Sequence, residues 1–549
     1  MKLILKASLL LFAASCGQPV TGDYNVILIS IDSLRQDRLG VYGHKAEYAP
    51  ERPVSPHIDS LATGGIVFEN AWSTSSWTLP AHASLMTGLS DIAHGVEIDD
   101  FRIDPAHELV AESFREAGYA TAGFFSGPYL DPKYGFQRGF DLYKSGMMNP
   151  DELARHLKGW SDREVAAGRE QPSEQVLREI RDRVSHWDIT SPRINRMALD
   201  FLDHSDKERF FLFLHYFDVH YDHLPGKADP DLKKEFDPNY EGFFPGENWY
   251  FNPAVRNPRP PHERRISARD LGHIKAMYDA EINWVDRHVG AILEKVSQLG
   301  LEKETLVVLL ADHGDEFFEH GGIGHRSTLH SELLAIPLIF KIPGLPKNGN
   351  RSMANARIYD VAPTILDMAG LPSLPSAEGV SLRNHLTNPS KATAGKGALG
   401  RLFAGSATGG PNIRDSWRNE RYTVLREFSI DSKRSNPQLL QVRPKRLKKT
   451  GQPYLVFDRS VDPQEMQPLA PTDDRYREAL AAFCLDFQES SKHASGIPLS
   501  PLRDRYSPRK SKEEIATLAA MGYTDGTPTE SDEPRTPPLG IFPEPCLNP

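Results

Sequence analysis

Asp32 follows an apolar run in ISIDSLRQDRLGVYG, and Asp312 and His313 stand side by side in ADHGDEFFEHGGIGH. Asp218 and His220 follow a third apolar run, FFLFLHYF. Carboxylate and imidazole donors together suit Zn²⁺ or Mn²⁺, while a set of oxygens alone would also suit Ca²⁺ or Mg²⁺. The chain has three cysteines and no cysteine pair at metal-ligand spacing, so a metal must be held by oxygen and nitrogen. A nucleophile candidate lies in TSSWTLPAHASLMTGL, where Pro80 suits the first turn of a helix and Thr78 falls at its start. Free backbone N–H groups and the helix dipole favour anions there. A hydroxyl on a metal ionises more readily and can attack an electrophilic phosphorus. Each feature alone has an ordinary explanation. An Asp after a strand caps a helix, Asp-His-Gly makes a turn, His220 and His325 hydrogen-bond in a core, and Thr78 caps a helix. Their joint placement after several apolar runs is what points to a site.

The elements that must position these residues are legible in the hydrophobic pattern. Tyr24 to Ile31, Ala120 to Ser126, Phe211 to Phe217, Thr305 to Ala311 and Ile336 to Ile342 are short apolar runs of the buried parallel-strand type. Helical patterns lie between them: one starting at Ser55-Pro56, one from Ala280 to Leu299, and one from Pro363 to Met368 closed by Gly370. Strands alternating with helices imply an α/β fold with a doubly wound, mostly parallel sheet, whose ligands bind outside the carboxyl ends of the strands. Residues 140–200 are charged and helical in pattern, with no strand signal. Residues 222–262 are dense in Pro, Phe, Tyr and Asp, and read as a cap inserted near the site. After about residue 395 the alternation fades. Arg421 to Phe428 and Pro453 to Asp458 read as antiparallel strands and Tyr476 to Glu489 as a helix. The expected division is a leader at 1–16, a catalytic domain at 24–395, a smaller C-terminal α+β subdomain at 396–495, and a Pro-rich tail at 496–549. Ser511 to Met521 reads as one helix within that tail.

Composition narrows the partners. The net charge of −10 argues against a nucleic-acid backbone as partner. The one basic run, Arg443 to Lys449, reads as a solvated loop or as a patch that collects anions. Lys2 and Lys6 flank a short apolar run ending in Ser15 and Cys16, the three-part form of an export leader. The small residues before Cys16 resemble a bacterial lipobox. That resemblance makes Cys16 a lipidated N-terminus and, with Gly17 and Gln18 after it, favours the outer membrane, facing the periplasm or the cell surface. Contact with the membrane is then through the lipid anchor alone. Cys484 and Cys546 remain, as one disulfide or as two free thiols.

Taken in order, these segments resemble the sulfatase branch of the alkaline phosphatase superfamily, from about Asn25 to Leu469. IDSLRQDRLGVYG is similar to its first metal-binding segment. SPHIDSLATGGIVFENAW is similar to the helix and strand that follow, and the stretch from YDAEINWVDRHVGAILEKV to GIGH is similar to its long helix and second metal-binding segment. LAIPLIFKIPG and DVAPTILDMAGLP continue the series, and YLVFDRSVDPQEMQPLA resembles its closing motif. The resemblance implies a divalent metal held by Asp32, Asp312 and His313, with Thr78 beside it. It implies substrate-anion contacts at His220, and at His325 where sulfatases carry a Lys. It leaves room for a second metal at Asp218, His220, His223, His320 or His325.

The departures carry more information. Sulfatases have Cys or Ser in a Cys/Ser-x-Pro-x-Arg motif that is converted to formylglycine. Here the run is Thr78-Leu79-Pro80-Ala81-His82, and Thr cannot become that aldehyde. His82 replaces a bidentate Arg, and Ser33 replaces a second metal-binding Asp, which favours Zn²⁺ or Mn²⁺ over Ca²⁺. Thr nucleophiles belong to phosphate-processing relatives of this superfamily. The expectation is an exported hydrolase of phosphate mono- or diesters on a small molecule, glycan or lipid headgroup. Thr78 would attack in line, and the metal with His82 or His220 would stabilise the equatorial oxygens. The alternatives are a sulfuric ester hydrolase without formylglycine, and a non-catalytic lipoprotein that binds glycans or anions.

Overall fold

The computed structural model describes residues 22–148, 150–168, 171, 188–205, 209–220, 225–242, 244, 266–344, 350–390, 396–404, 412–430, 442–444 and 453–505. The leader, Cys16, His223, most of the aromatic insert, all but the first residues of the basic run, and the tail helix lie outside the described residues.

The main sheet has eight strands. They are β1 (Asn25–Ile31), β2 (Ile66–Trp72), β3 (Ala120–Phe125), β4 (Leu142–Ser145), β5 (Phe210–Tyr216), β6 (Thr305–Ala311), β9 (Leu338–Lys341) and β10 (Asn350–Arg357). Their order is β10-β2-β9-β6-β1-β5-β3-β4, and every pairing is parallel except those of β9. A two-stranded hairpin, β7 (Glu316–Phe317) with β8 (Ile323–Gly324), follows β6. β1 lies near the middle, flanked by β5 and β6, and all seven of its residues are buried. Burial of every residue requires cover on both faces, which is why NVILISI is apolar without alternation.

Helices α1 (Pro56–Thr63), α3 (Ser191–His204) and α4 (Ala268–Gln298) pack together, while α2 (Thr78–Thr87) packs with α5 (Val361–Met368). α4 begins at Ala268, well before the expected Ala280. Ser267 and Asp270 form a capping box: Ser267 Oγ accepts from Asp270 N, and Asp270 Oδ2 accepts from Ser267 N. The first half of α4 buries His273 and Asp279, so its buried face does not look apolar in the sequence. β4 also escaped the hydrophobic pattern. It is an edge strand whose residues are largely exposed, so LYKS has no apolar run.

The C-terminal region forms a five-stranded antiparallel sheet: β11 (Ala398–Ala404), β12 (Asn412–Arg418), β13 (Tyr422–Ile430), β14 (Val442–Pro444) and β15 (Tyr454–Asp458). Helix α6 (Asp474–Gly496) covers it, with Trp417, Val424, Val456, Phe483 and Phe487 between them. β11 and β12 were hidden by charge. Arg401 Nε donates to Asp415 Oδ1 at 2.7 Å and Arg426 Nε to Asp415 Oδ2 at 2.9 Å, a buried triad inside the sheet. Cys484 on α6 is disulfide-bonded; the other two cysteines lie outside the described residues.

Glu465, in the segment after β15, joins the two sheets. It accepts from His330 Nδ1 at 2.9 Å, Ser331 N at 3.1 Å, Thr423 Oγ1 at 2.6 Å and Arg418. Burial opposes its charge, but Arg418 and these donors hold the carboxyl well below the ordinary range. No described helix is long and apolar enough to cross a membrane.

Candidate active site

β1, β5 and β6 run parallel with Ile31 level with Ala311 and Tyr216. The residues that follow each strand therefore emerge together at one sheet edge, and Asp32, Asp312 and His313 converge there. All three are buried. His313 Nε2 lies 3.4 Å from Asp312 Oδ2 and 3.9 Å from Asp32 Oδ1.

Thr78 arrives from the other side. Trp77, with extended backbone, takes the N-cap position of α2, and Thr78 is the first helical residue. Its hydroxyl donates to Asp32 Oδ2 at 3.2 Å. The cap role considered for Thr78 thus falls to Trp77, and the Thr78 oxygen points at the acidic centre.

Ser33 shapes the loop between them. Its φ is +57°, in the left-handed region that costs a non-Gly residue about 1–3 kcal/mol. That turn lets Ser33 N donate to Asp312 Oδ1 at 3.1 Å and Ser33 Oγ to Asp32 Oδ1 at 2.7 Å. The buried Tyr278 holds the turn: its hydroxyl donates to Ser33 O at 2.6 Å and accepts from Arg35 N at 2.9 Å.

The residues present fit a divalent cation. Asp312 Oδ2 and His313 Nε2 are buried and have no hydrogen-bond partner. His313 Nδ1 donates to Gly314 O at 2.9 Å, so its lone pair is on Nε2 and faces the carboxylates. Two buried carboxylates at this spacing repel. Burial, then the charge of Asp32, pushes the Asp312 carboxyl well above its usual range. Burial also opposes ionisation of Asp32, but the neighbouring imidazoles, His215 first and then His220 and His313, hold it below the ordinary range. Burial, then the neighbouring His325, lowers His313 to about 3, which keeps it a neutral donor. A cation between these groups removes the conflict.

The other expected residues divide. His325 belongs to the site: its ring lies 4.5 Å from that of His313, and its Nδ1 is 2.7 Å from Asp315 Oδ1. Burial pushes Asp315 up to about 7. His220 lies 4.9 Å from His325 and stacks on Phe217, extending the imidazole wall. His82 sits behind Thr78. Its Nδ1–H donates to Thr78 O at 2.9 Å, and its Nε2 faces Ser30 Oγ at 3.0 Å. Burial, then the neighbouring His215 imidazole, keeps it neutral. Asp218 is occupied at the start of α3, where it accepts from Thr190 N, Thr190 Oγ1 and Ser191 N at 2.6–2.8 Å. His320 lies in the joint between the sheets, bonded to Glu332 Oε1 at 2.7 Å and the Glu465 carbonyl at 3.2 Å.

Two residues at or beside the site were missed in the sequence. His215 on β5 is buried with Nε2 at 3.5 Å from Asp32 Oδ2; its signal is a single imidazole inside an apolar strand. Arg326, beside His325, lays its guanidinium 4.2 Å over Trp77 and donates to Tyr129 OH at 3.3 Å. It is half-buried, with a left-handed φ of +65°.

A family profile described as Sulfatase matches residues 24–371. The chain is 26% identical over 408 residues to an ulvan-active sulfatase of Formosa agariphila, covering 73% of this chain and 72% of that one. It is 23% identical over 514 residues to the multifunctional alkaline phosphatase superfamily protein PehA of Trinickia caryophylli, covering 81% and 91%. Its fold is similar to a crystal structure of the phosphonate monoester hydrolase of Agrobacterium radiobacter, with a TM-score of 0.58 at 18% identity over 86% and 96% of the two chains. The profile spans the segments that carry Asp32, Thr78, Asp312 and His313: this chain belongs to the sulfatase family and is a hydrolase of that family.

Proposed function

We propose that the protein hydrolyses phosphate mono- or diesters through Thr78. The observation that carries this reading is the Thr78 hydroxyl, directed at Asp32 Oδ2 at 3.2 Å from the first residue of a helix. Thr78, Asp32, Asp312 and His313 would hold a divalent cation, Zn²⁺ or Mn²⁺ before Ca²⁺. When bound, it lowers the pKa of the nucleophile and offsets charge on the transferring group.

Thr78 Oγ attacks phosphorus in line, its proton held toward Asp32 Oδ2. The O–P bond forms as the ester P–O bond breaks, and the leaving alcohol takes up a proton. Water then cleaves the phosphothreonine and restores Thr78. His220 and His325 would stabilise the charge that develops on the equatorial oxygens. His82 supports from behind, its Nδ1–H fixing the Thr78 carbonyl. The substrate is a small molecule, glycan or lipid-headgroup ester. The leader and Cys16 support an outer-membrane lipoprotein, facing the bacterial periplasm or the cell surface. Replacing Cys16 with Ser should release it from the membrane fraction.

Sulfate ester hydrolysis without formylglycine is the second reading, favoured by the sulfatase among its relatives. Metal-loaded protein and its Thr78→Ala variant, assayed on aryl phosphate, aryl phosphodiester and aryl sulfate, separate the two. The phosphate reading expects phosphate or phosphodiester turnover to exceed sulfate turnover. It also expects the variant to lose at least about 10³-fold, as enzymes do when a nucleophile is removed. Faster, Thr78-dependent sulfate cleavage would overturn the phosphate preference, and full activity in the variant would overturn the nucleophile.

A further inference from the structure

We propose that His215 is a ligand of the metal centre, binding through Nε2 from β5. With the Thr78 hydroxyl, the centre then comprises two carboxylates and two imidazoles, a set suited to Zn²⁺ or Mn²⁺. This rests on the reading that Asp32, Asp312 and His313 hold the cation.

The tautomer of His215 is fixed by its neighbours. Nδ1 lies 2.7 Å from the carbonyl oxygen of Ser126, which can only accept, so the ring proton is on Nδ1. The bare lone pair is on Nε2, which is buried without a hydrogen-bond partner and lies 3.5 Å from Asp32 Oδ2. Two lone pairs facing each other in a dry interior repel unless a cation lies between them. His313 has the same signature: Nδ1–H tied to a backbone carbonyl, and Nε2 bare toward the carboxylates. That pattern is the usual one for a metal-bound histidine, whose second N–H is anchored by a carbonyl or carboxylate.

His82 is the other imidazole within reach of Asp312, with Nδ1 at 3.6 Å from Oδ2. It is wired the opposite way. Its Nδ1 carries the proton given to Thr78 O, and its lone pair on Nε2 faces Ser30. Hydrogen bonding therefore selects His215 over His82. Spacing agrees. Donors 2.0–2.1 Å from a tetrahedral cation are about 3.4 Å apart. The separations are 3.5 Å for His215 to Asp32, 3.4 Å for His313 to Asp312 and 3.9 Å for His313 to Asp32. His215 also answers the substitution at Ser33. Where the family resemblance expects a second carboxylate, Ser33 Oγ donates to Asp32, and the neighbouring strand supplies a neutral ligand instead.

The test counts imidazole nitrogens. The purified protein is stripped with chelator and loaded with Mn²⁺, and ¹⁴N couplings to the metal are resolved by pulsed EPR. Two couplings are expected in the wild type, and one each in His215→Ala and His313→Ala. Zn²⁺ affinity in His215→Ala should fall by more than the roughly 10–100-fold that losing an outer-shell partner costs. If His215→Ala does not fold, the wild-type count decides. A single coupling that vanishes in His313→Ala overturns the inference while leaving the metal reading intact. Two couplings that survive in His215→Ala also overturn it. Failure to bind Mn²⁺ at all overturns both.

Discussion

Residue-scale chemistry turns on Thr78 and Ser33, two positions where this chain departs from the sulfatase pattern. Thr78 excludes formylglycine and leaves a hydroxyl aimed at Asp32. Thr78→Ser keeps the oxygen, so it should retain most of the metal-dependent turnover that Thr78→Ala loses; steady-state kinetics on the same substrate checks this. Ser33 determines the charge of the centre. Its backbone is left-handed, a region that Asp tolerates better than most residues. Ser33→Asp therefore introduces a third carboxylate without breaking the turn, and metal preference should move from Zn²⁺ or Mn²⁺ toward Ca²⁺ by at least about tenfold, as added hard oxygen donors require. Competition titration measures this, and an unchanged preference would mean that Ser33 does not set selectivity. Both positions were readable from motif order. His215 was not, because a lone His in a strand has no motif, and only the partners of its two nitrogens reveal which one is bare.

Individual elements deliver these residues, and one joint carries much of the load between the sheets. Glu465 receives Arg418, His330, Ser331 and Thr423 in a buried setting. Glu465→Gln leaves Arg418 with an uncompensated charge and should cost about 3–5 kcal/mol in denaturant unfolding. The pH dependence follows from a carboxyl held below its usual range. Its contribution is fully present above the unfolded pKa, near 4.5, and is lost as pH falls toward the lower folded value. The stability gap between wild type and Glu465→Gln should therefore narrow below about pH 4.5. A gap that widens in acid would show that the depressed pKa is not the source. The closing motif was visible in the sequence, but its partners were not. They come from the segment before β9 and from β12 and β13, which meet Glu465 only in the folded chain.

Across the whole molecule, a metal at the acidic centre should couple to folding. Asp32 and Asp312 sit buried side by side, with Asp312 forced toward its neutral form by burial and by Asp32. Chelation should lower the melting temperature. Readdition of Zn²⁺ or Mn²⁺ at about 1,000 times the dissociation constant should restore about 4 kcal/mol. Calorimetry with and without chelator checks this, and an unchanged transition would sink the coupling. The sequence by itself determined the alternation of buried strands and helices, because residues covered on both faces must be apolar. It also put Asp32, Asp312 and His313 at one edge, because parallel strands present their following residues there, and Thr78 at the start of a helix. Only the tertiary structure decided the rest. Asp218 caps α3, His320 serves the joint between sheets, His82 turns its lone pair away, and His215 faces Asp32. Residue type sets what an imidazole or carboxylate can bind. Which neighbour takes each of its hydrogen bonds depends on long-range contacts that no local pattern encodes.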